Sequence, residues 1–262
     1  GKNGDVELEA FLAGNDILLM PTALEEAKAK LWKLYDRGKI SEERLAYSVK
    51  KILKAKYKVG LQKYAPIKVD NLYEDLNSIK DDLIYEEAIE NAITVVKNNF
   101  YLMGIKKLEN KKIAYVKFGD APNDAFVDEL NKYAKVTQVN GKDISTLKKK
   151  LADYNLIIIG HHRSNASPWK ANKFSKNELF WLEEIAKERS SNVILSVFTN
   201  PYALLEVDTF KNVDGVVVAY QNSELAQRKT AQLIFGAIPA KGVLPVTAHR
   251  QFPVNTKVQL KS

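Results

Sequence analysis

The sequence predicts an α/β fold, a three-layer α/β/α sandwich around a mainly parallel sheet. Two observations carry this. Beyond residue 112, short apolar runs alternate with segments of helical spacing, and such alternation indicates a mainly parallel sheet covered on both faces. Helix-start chemistry also falls where the alternation needs it: Ser175 and Glu178 form a capping box just before Leu179, Trp181, Leu182 and Ile185. The expected strands are Ile113 to Phe118, Val136 to Val139, Leu156 to Ile159, Val193 to Phe198 and Val213 to Ala219. The expected helices lie near 123–134, 143–152, 175–188, 201–211 and 223–235.

The earlier part of the chain reads differently. Val6 to Ala13 looks like the end of a helix. Ile17 to Met20, closed by Pro21, is expected to be a buried strand. A helix from Leu24 to Asp36 stops at Gly38, and Ser41 caps another in which Leu45, Val49, Ile52 and Leu53 share a face. One strand with three helices makes a poor independent domain, because a lone strand leaves its backbone groups unpaired. Residues 62–80 carry Pro66 and read as an irregular connector, and 81–97 read as a helix with Leu83, Ile84, Ala88, Ile89, Ala92, Ile93 and Val96 on one stripe.

Composition narrows the function. The 262 residues are 45% hydrophobic and 27% charged, within the globular range. The lack of cysteine excludes disulfides, Cys-ligated zinc, iron–sulfur clusters and thiol catalysis. No run approaches the ~20 apolar residues of a membrane span, and Gly1 to Glu9 has no signal-peptide pattern. The net charge of +8 invites a nucleic-acid reading, but the lysines at 106, 107, 111, 112 and 148–150 are not interleaved with stacking aromatics. No nucleic-acid partner is expected.

Ligands of such folds gather at the carboxyl ends of the strands. Four loops lie there: Gly119-Asp120-Ala121-Pro122, Gly160-His161-His162-Arg163-Ser164-Asn165, Thr199-Asn200-Pro201-Tyr202 and Tyr220-Gln221-Asn222. His161, His162 and Arg163 could bind an anion or a sugar hydroxyl, or move a proton. They could equally hydrogen-bond loop carbonyls or face a neighbouring domain. Adjacent histidines on a strand point opposite ways, His249 is remote and HExxH is missing, so no metal is expected. With neither GxGxxG nor a Walker loop, no nucleotide cofactor is expected, and without GxSxG no nucleophile-elbow hydrolase. Asp16 precedes its expected strand and reads as structural.

Several stretches resemble glycoside hydrolase family 3. They are Ala13-Gly14-Asn15-Asp16-Ile17-Leu18-Leu19-Met20-Pro21, Gly38-Lys39-Ile40-Ser41-Glu42-Glu43-Arg44-Leu45 and Ile52-Leu53-Lys54-Ala55-Lys56-Tyr57. Thr94-Val95-Val96-Lys97-Asn98, Phe198-Thr199-Asn200-Pro201-Tyr202 and Phe235 to Val246 continue the likeness. The resemblance implies that residues 1–61 are a remnant (last strand and helices) of the family's (β/α)8 barrel. It implies that 62–111 are a connector and lead-in helix, and 112–262 the α/β/α sandwich domain. It further implies a retaining exo-β-glycosidase, closest to the β-N-acetylhexosaminidase branch, whose aspartate nucleophile lies upstream. No catalytic residue is then expected in this chain. On the same grounds the sandwich packs on the barrel, the parent is a bacterial enzyme of the periplasm or exterior, and the carbohydrate substrate meets the barrel. Asn165, Ser167 and Trp169 could touch a sugar, or their loop could instead pack the two domains together, and Met20 would be a lip residue. The alternative is a stand-alone carbohydrate- or partner-binding module.

Overall fold

A computed structural model of the protein describes residues 3–164, 172–188 and 190–260. The chain divides into two compact units, Gly1–Leu72 and Tyr73–Ser262.

The first unit contains α1 (Asp5–Leu12), α2 (Leu24–Asp36) and α3 (Glu42–Lys58). Helix α3 starts as its sequence suggests. The Ser41 hydroxyl accepts from Arg44 N at 3.1 Å, with Glu42 and Glu43 at the positive end. Helix α2 has Ala23 at its start and no capping side chain of its own. The buried Glu7 of α1 fills that role: its carboxylate accepts from Thr22 N at 2.7 Å, Ala23 N at 3.1 Å and the Thr22 hydroxyl at 3.2 Å. Hydrogen bonds from its own backbone N–H and from those of Ala23 and Thr22 hold the Glu7 carboxyl below its usual range. Asp16 has a structural role, though not the one expected from a following strand: it accepts from Ser48 Oγ at 2.7 Å and pairs with Lys51 and Arg44.

Ile17–Met20 is not a strand. Ile17, Leu19 and Met20 are exposed, and Met20 takes φ 53°. A strand needs a neighbour for its N–H and C=O groups, and no strand is present among the described residues of this unit. Residues 62–80 also depart from expectation, holding the short α4 (Leu72–Leu76) and the start of α5 (Ile79–Ala92).

The second unit is built on β1 (Thr94–Asn98), β2 (Ile113–Gly119), β3 (Val136–Gln138), β4 (Leu156–His162), β5 (Asn192–Phe198) and β6 (Gly215–Val218). The six strands lie in the order β1-β6-β5-β4-β2-β3. Strands β2 to β6 are parallel and β1 runs antiparallel against β6. The sequence placed Thr94–Asn98 in a helix, whereas α5 ends at Ala92. Thr94, Val95 and Val96 are β-branched, and pairing Thr94 with Val218 outweighs one more helical turn.

Helices α6 (Asp124–Asn131) and α9 (Glu224–Phe235) cover one face together with α5, while α7 (Ile144–Leu151) and α8 (Lys176–Lys187) cover the other. Strand β4 shows why the strands read as unbroken apolar runs: Leu156 and Ile158 enter one core while Ile157 and Ile159 enter the other, and all four are fully or almost fully buried. Ser175 and Glu178 form the expected capping box of α8. Residues 201–206 form a 3-10 turn rather than the expected α-helix, with Asn200 Oδ1 accepting from Tyr202 N at 2.9 Å.

The Glu7 contacts generate a pH prediction. Its folded pKa lies below the unfolded one, so its contribution is present above the unfolded value and is lost as pH falls through the folded value. Amide protection in α1 and α2 should fall on acidification below about pH 4. Glu7→Gln should shrink that step and lower protection at neutral pH, as read by hydrogen exchange. Wild-type protection in the variant would show that the carboxylate does not hold α2.

Candidate functional site

Strand β2 has β3 on one side and β4 on the other, so the progression of the chain reverses there. Crevices in parallel sheets open at such a switch, beyond the carboxyl ends of the strands. Here that rim holds Gly119, Asp120, Ala121, His162 and Arg163. The β2 and β4 ends meet closely, with Ala121 N donating to His162 O at 3.3 Å. Gly119 sits at φ +86°, and a Cβ there would lie 1.8 Å from His162 O. Only glycine fits.

His162 is fully buried and bridges three elements. Its Nδ1 is 2.6 Å from Asn222 Oδ1 and its Nε2 is 2.8 Å from Tyr115 Oη. Asn222 Nδ2 donates to Pro122 O at 2.8 Å, which leaves Oδ1 as acceptor. His162 Nδ1 therefore carries the proton and Nε2 accepts from the Tyr115 hydroxyl. Gly160 makes the room, since a Cβ there would meet His162 Nε2 at 2.5 Å and Tyr115 Oη at 2.7 Å. Burial pushes His162 down to about 3 and Tyr115 far up, so both are neutral.

His161 faces the opposite core. Its ring stacks on Phe174 with centroids 3.8 Å apart, and Nε2 lies 3.4 Å from Asn172 O. Burial lowers it to about 4. His161 thus lies against a loop carbonyl and a phenyl ring, His162 against a hydroxyl and a side-chain amide, and both rings are buried.

Arg163 organises the charges of the rim. It donates to Glu178 Oε2 at 2.9 Å and Lys173 O at 3.1 Å, and lies 3.5 Å from Asp120. Glu178 also accepts from Gly119 N at 2.7 Å and Ser175 N at 2.6 Å. Burial opposes its ionisation, but these N–H groups and Arg163 outweigh it, and its pKa is lowered. Glu206 pairs with Lys173 at 2.6 Å. Each of these carboxylates thus faces a cation, and Glu178, held ionised, is a poor proton donor. Among the described residues, no group of three or more His, Asp or Glu is placed to hold a metal ion. Beside the rim, Ala121, Pro122, Ser164, Gln221, Asn222 and Ser223 line a hollow of about 370 Å³.

Of the residues singled out from sequence, His161, His162 and Arg163 come together here. Asn165, Ser167 and Trp169 lie outside the described residues. Met20 belongs to the first unit, where it is 84% exposed. Sequence reasoning missed Tyr115 and the role of Asn222. The signal for Tyr115 was one polar-tipped side chain in an apolar strand; nothing local to either residue revealed the partner.

No family model matches the sequence, and no curated protein matches it. Solved structures do. A glycoside hydrolase family 3 β-N-acetylglucosaminidase from Paenibacillus sp. str. FPU-7 is 19% identical with a TM-score of 0.64, over 97% of this chain and 48% of that one. The chain shares its fold with glycosidases. A β-glucoside phosphorylase, BglX, is 21% identical with a TM-score of 0.67, over 96% of this chain and 46% of its own. A β-glucosidase from Listeria innocua is 17% identical with a TM-score of 0.65, over 91% and 36%. The chain thus spans less than half of each of these structures.

Two predictions follow from the rim. Both histidines have folded pKa values below the unfolded ~6.5, so the unfolded chain binds more protons between about pH 3 and 6.5 and stability falls with pH through that window. At pH 5 the loss is about 2 kcal/mol per histidine. His162→Gln should lower stability at pH 7 and narrow the pH 7 to pH 5 difference by that amount in denaturant titrations; an unchanged difference would refute the assignment. Gly119→Ala should cost more than about 3 kcal/mol, because both φ and the contact with His162 O forbid a Cβ. A near-neutral effect would mean that the β2 and β4 ends can separate.

Proposed function

We propose that this chain is the C-terminal accessory region of a retaining exo-acting β-glycosidase of glycoside hydrolase family 3, most closely a β-N-acetylhexosaminidase. The observation that carries the reading is the reach of the structural likeness. It runs over 97% of this chain, through both units, within a larger structure described as a β-N-acetylglucosaminidase. In this reading residues 1–61 are the closing part of the barrel, 62–111 the connection and 112–262 the sandwich domain. The sandwich packs on the barrel and the sugar meets the barrel.

Retaining hydrolysis needs two carboxyl groups about 5–5.5 Å apart, one as nucleophile and one switching between acid and base. The rim carboxylates Asp120, Glu178 and Glu206 are each engaged by Arg163 or Lys173. Glu178, held ionised by Arg163 and the N–H groups of Ser175 and Gly119, does not suit a proton donor, and Asp120 and Glu206 are tied in ion pairs rather than free to approach a substrate. The chain is accordingly inactive by itself and serves as scaffold for a nucleophile supplied by the parent.

The test is a chromogenic assay of the purified, folded chain against β-N-acetylglucosaminide and β-glucoside. The expected result is no turnover above buffer. Turnover that rises linearly with protein and disappears in Asp120→Asn or Glu178→Gln would overturn the accessory reading and locate the chemistry at this rim.

A further inference from the structure

Residues 99–112 carry two features that folding alone does not require. The first is Phe100 and Tyr101. They are consecutive, both left-handed (φ 56° and 53°), and 82% and 90% exposed. Bulky side chains disfavour this backbone region, and exposed aromatics gain nothing from the core. Asparagine or glycine would be cheaper at either position. The turn nevertheless holds, because both flanks are pinned. Asn99 N donates to Asp214 O at 2.8 Å, Met103 N to Asn98 Oδ1 at 2.8 Å and Gly104 N to Ile234 O at 2.9 Å, and Met103 is buried. A rigid frame thus displays two aromatic side chains outward.

The second feature is charge. The segment leaves β1 and joins β2, four strand spacings away or about 19 Å. It therefore crosses the amino-terminal ends of β6, β5 and β4. Along this path it carries Lys106, Lys107, Lys111 and Lys112 against the single acid Glu109. Lys106, Lys107 and Lys112 are exposed, as is Lys211 ahead of β6. None of these lysines forms an ion pair among the described residues. This pole of the sheet lies opposite the rim described above.

We infer that residues 99–112 form a docking surface for an anionic lipid bilayer, with Phe100 and Tyr101 entering the headgroup boundary and the lysines meeting lipid phosphates. Charge complementarity selects the occupant: unpaired lysines in a row suit a surface of negative headgroups, and each adds attraction that salt screens. The protruding aromatics suit a bilayer better than a soluble polyanion, since burial in the acyl boundary is what compensates their exposure. Both side chains are more than four-fifths exposed, so both are free to enter a headgroup layer.

The test is co-sedimentation of the chain with vesicles of phosphatidylcholine containing about 30% phosphatidylglycerol, against phosphatidylcholine alone. Binding should appear only with the anionic lipid at low salt and be lost at about 0.5 M salt. A Phe100→Asn, Tyr101→Asn double variant relieves the backbone strain, so it should fold with an equal or higher Tm while its partition falls about tenfold. Lys106→Gln with Lys107→Gln should weaken binding and its salt dependence together. No anionic-vesicle binding at low salt overturns the proposal. So does binding that the aromatic variant leaves unchanged, or tight binding to inorganic polyphosphate without binding to vesicles.

Discussion

The close approach of the β2 and β4 ends is the constraint on which the sandwich unit depends. Two chain reversals must fit where the sheet changes direction, and they fit because Gly119 has no side chain to strike the His162 carbonyl. The contact then fixes everything around it. It places His162 between Tyr115 and Asn222, and so ties β2, β4 and the loop ahead of α9 with uncharged hydrogen bonds. It also aims the Gly119 N–H at Glu178, which brings the start of α8 and Arg163 to the same point. A charged histidine at this depth would need a counter-ion. Burial keeps the ring neutral and avoids that need, while Asn222 and Tyr115 set which nitrogen carries the proton.

Much of this architecture was legible in the sequence, for identifiable reasons. The runs at Ile113, Leu156 and Val193 are apolar on both faces because both faces are covered, and that pattern survives without knowledge of partners. Ser41, Ser175 and Gly38 are local signals, and they mark helix ends as expected. Failures came where the outcome depends on a distant neighbour. Thr94–Asn98 has a helical stripe before it and becomes a strand only because β6 offers an edge. Ile17–Met20 has the composition of a strand and is not one, because its unit offers no edge among the described residues. The histidines illustrate both sides. Their position at a strand end was readable, whereas their burial follows from Phe174, Phe198 and Tyr115, which lie far off in sequence.

The two units differ in how they use apolar surface. In the sandwich unit the large aliphatics enter two cores separated by the sheet. In the first unit Leu19, Met20, Leu24, Trp32 and Leu53 remain exposed, and the contacts that give it definition are mainly polar, centred on Glu7 and Asp16. Polar anchoring of this kind fixes helix positions without enclosing a large core.

The antiparallel strand β1 has a consequence for how the molecule is made. Thr94 pairs with Val218 on one side, and Val258 N donates to Val95 O. Glu86 and Glu90 of α5 both reach Lys229 of α9. Among the described residues, the first strand of the sheet thus takes its strand pairing from its last strand, and the tail after it adds a further backbone bond. During synthesis β2 to β5 can assemble as they emerge, while β1 waits with an open edge until β6 and α9 have left the ribosome. Closure of the sheet is therefore a late, long-range event that fastens the two ends of the unit to each other, and a ribosome that stalls before residue 215 would leave β1 without its partner.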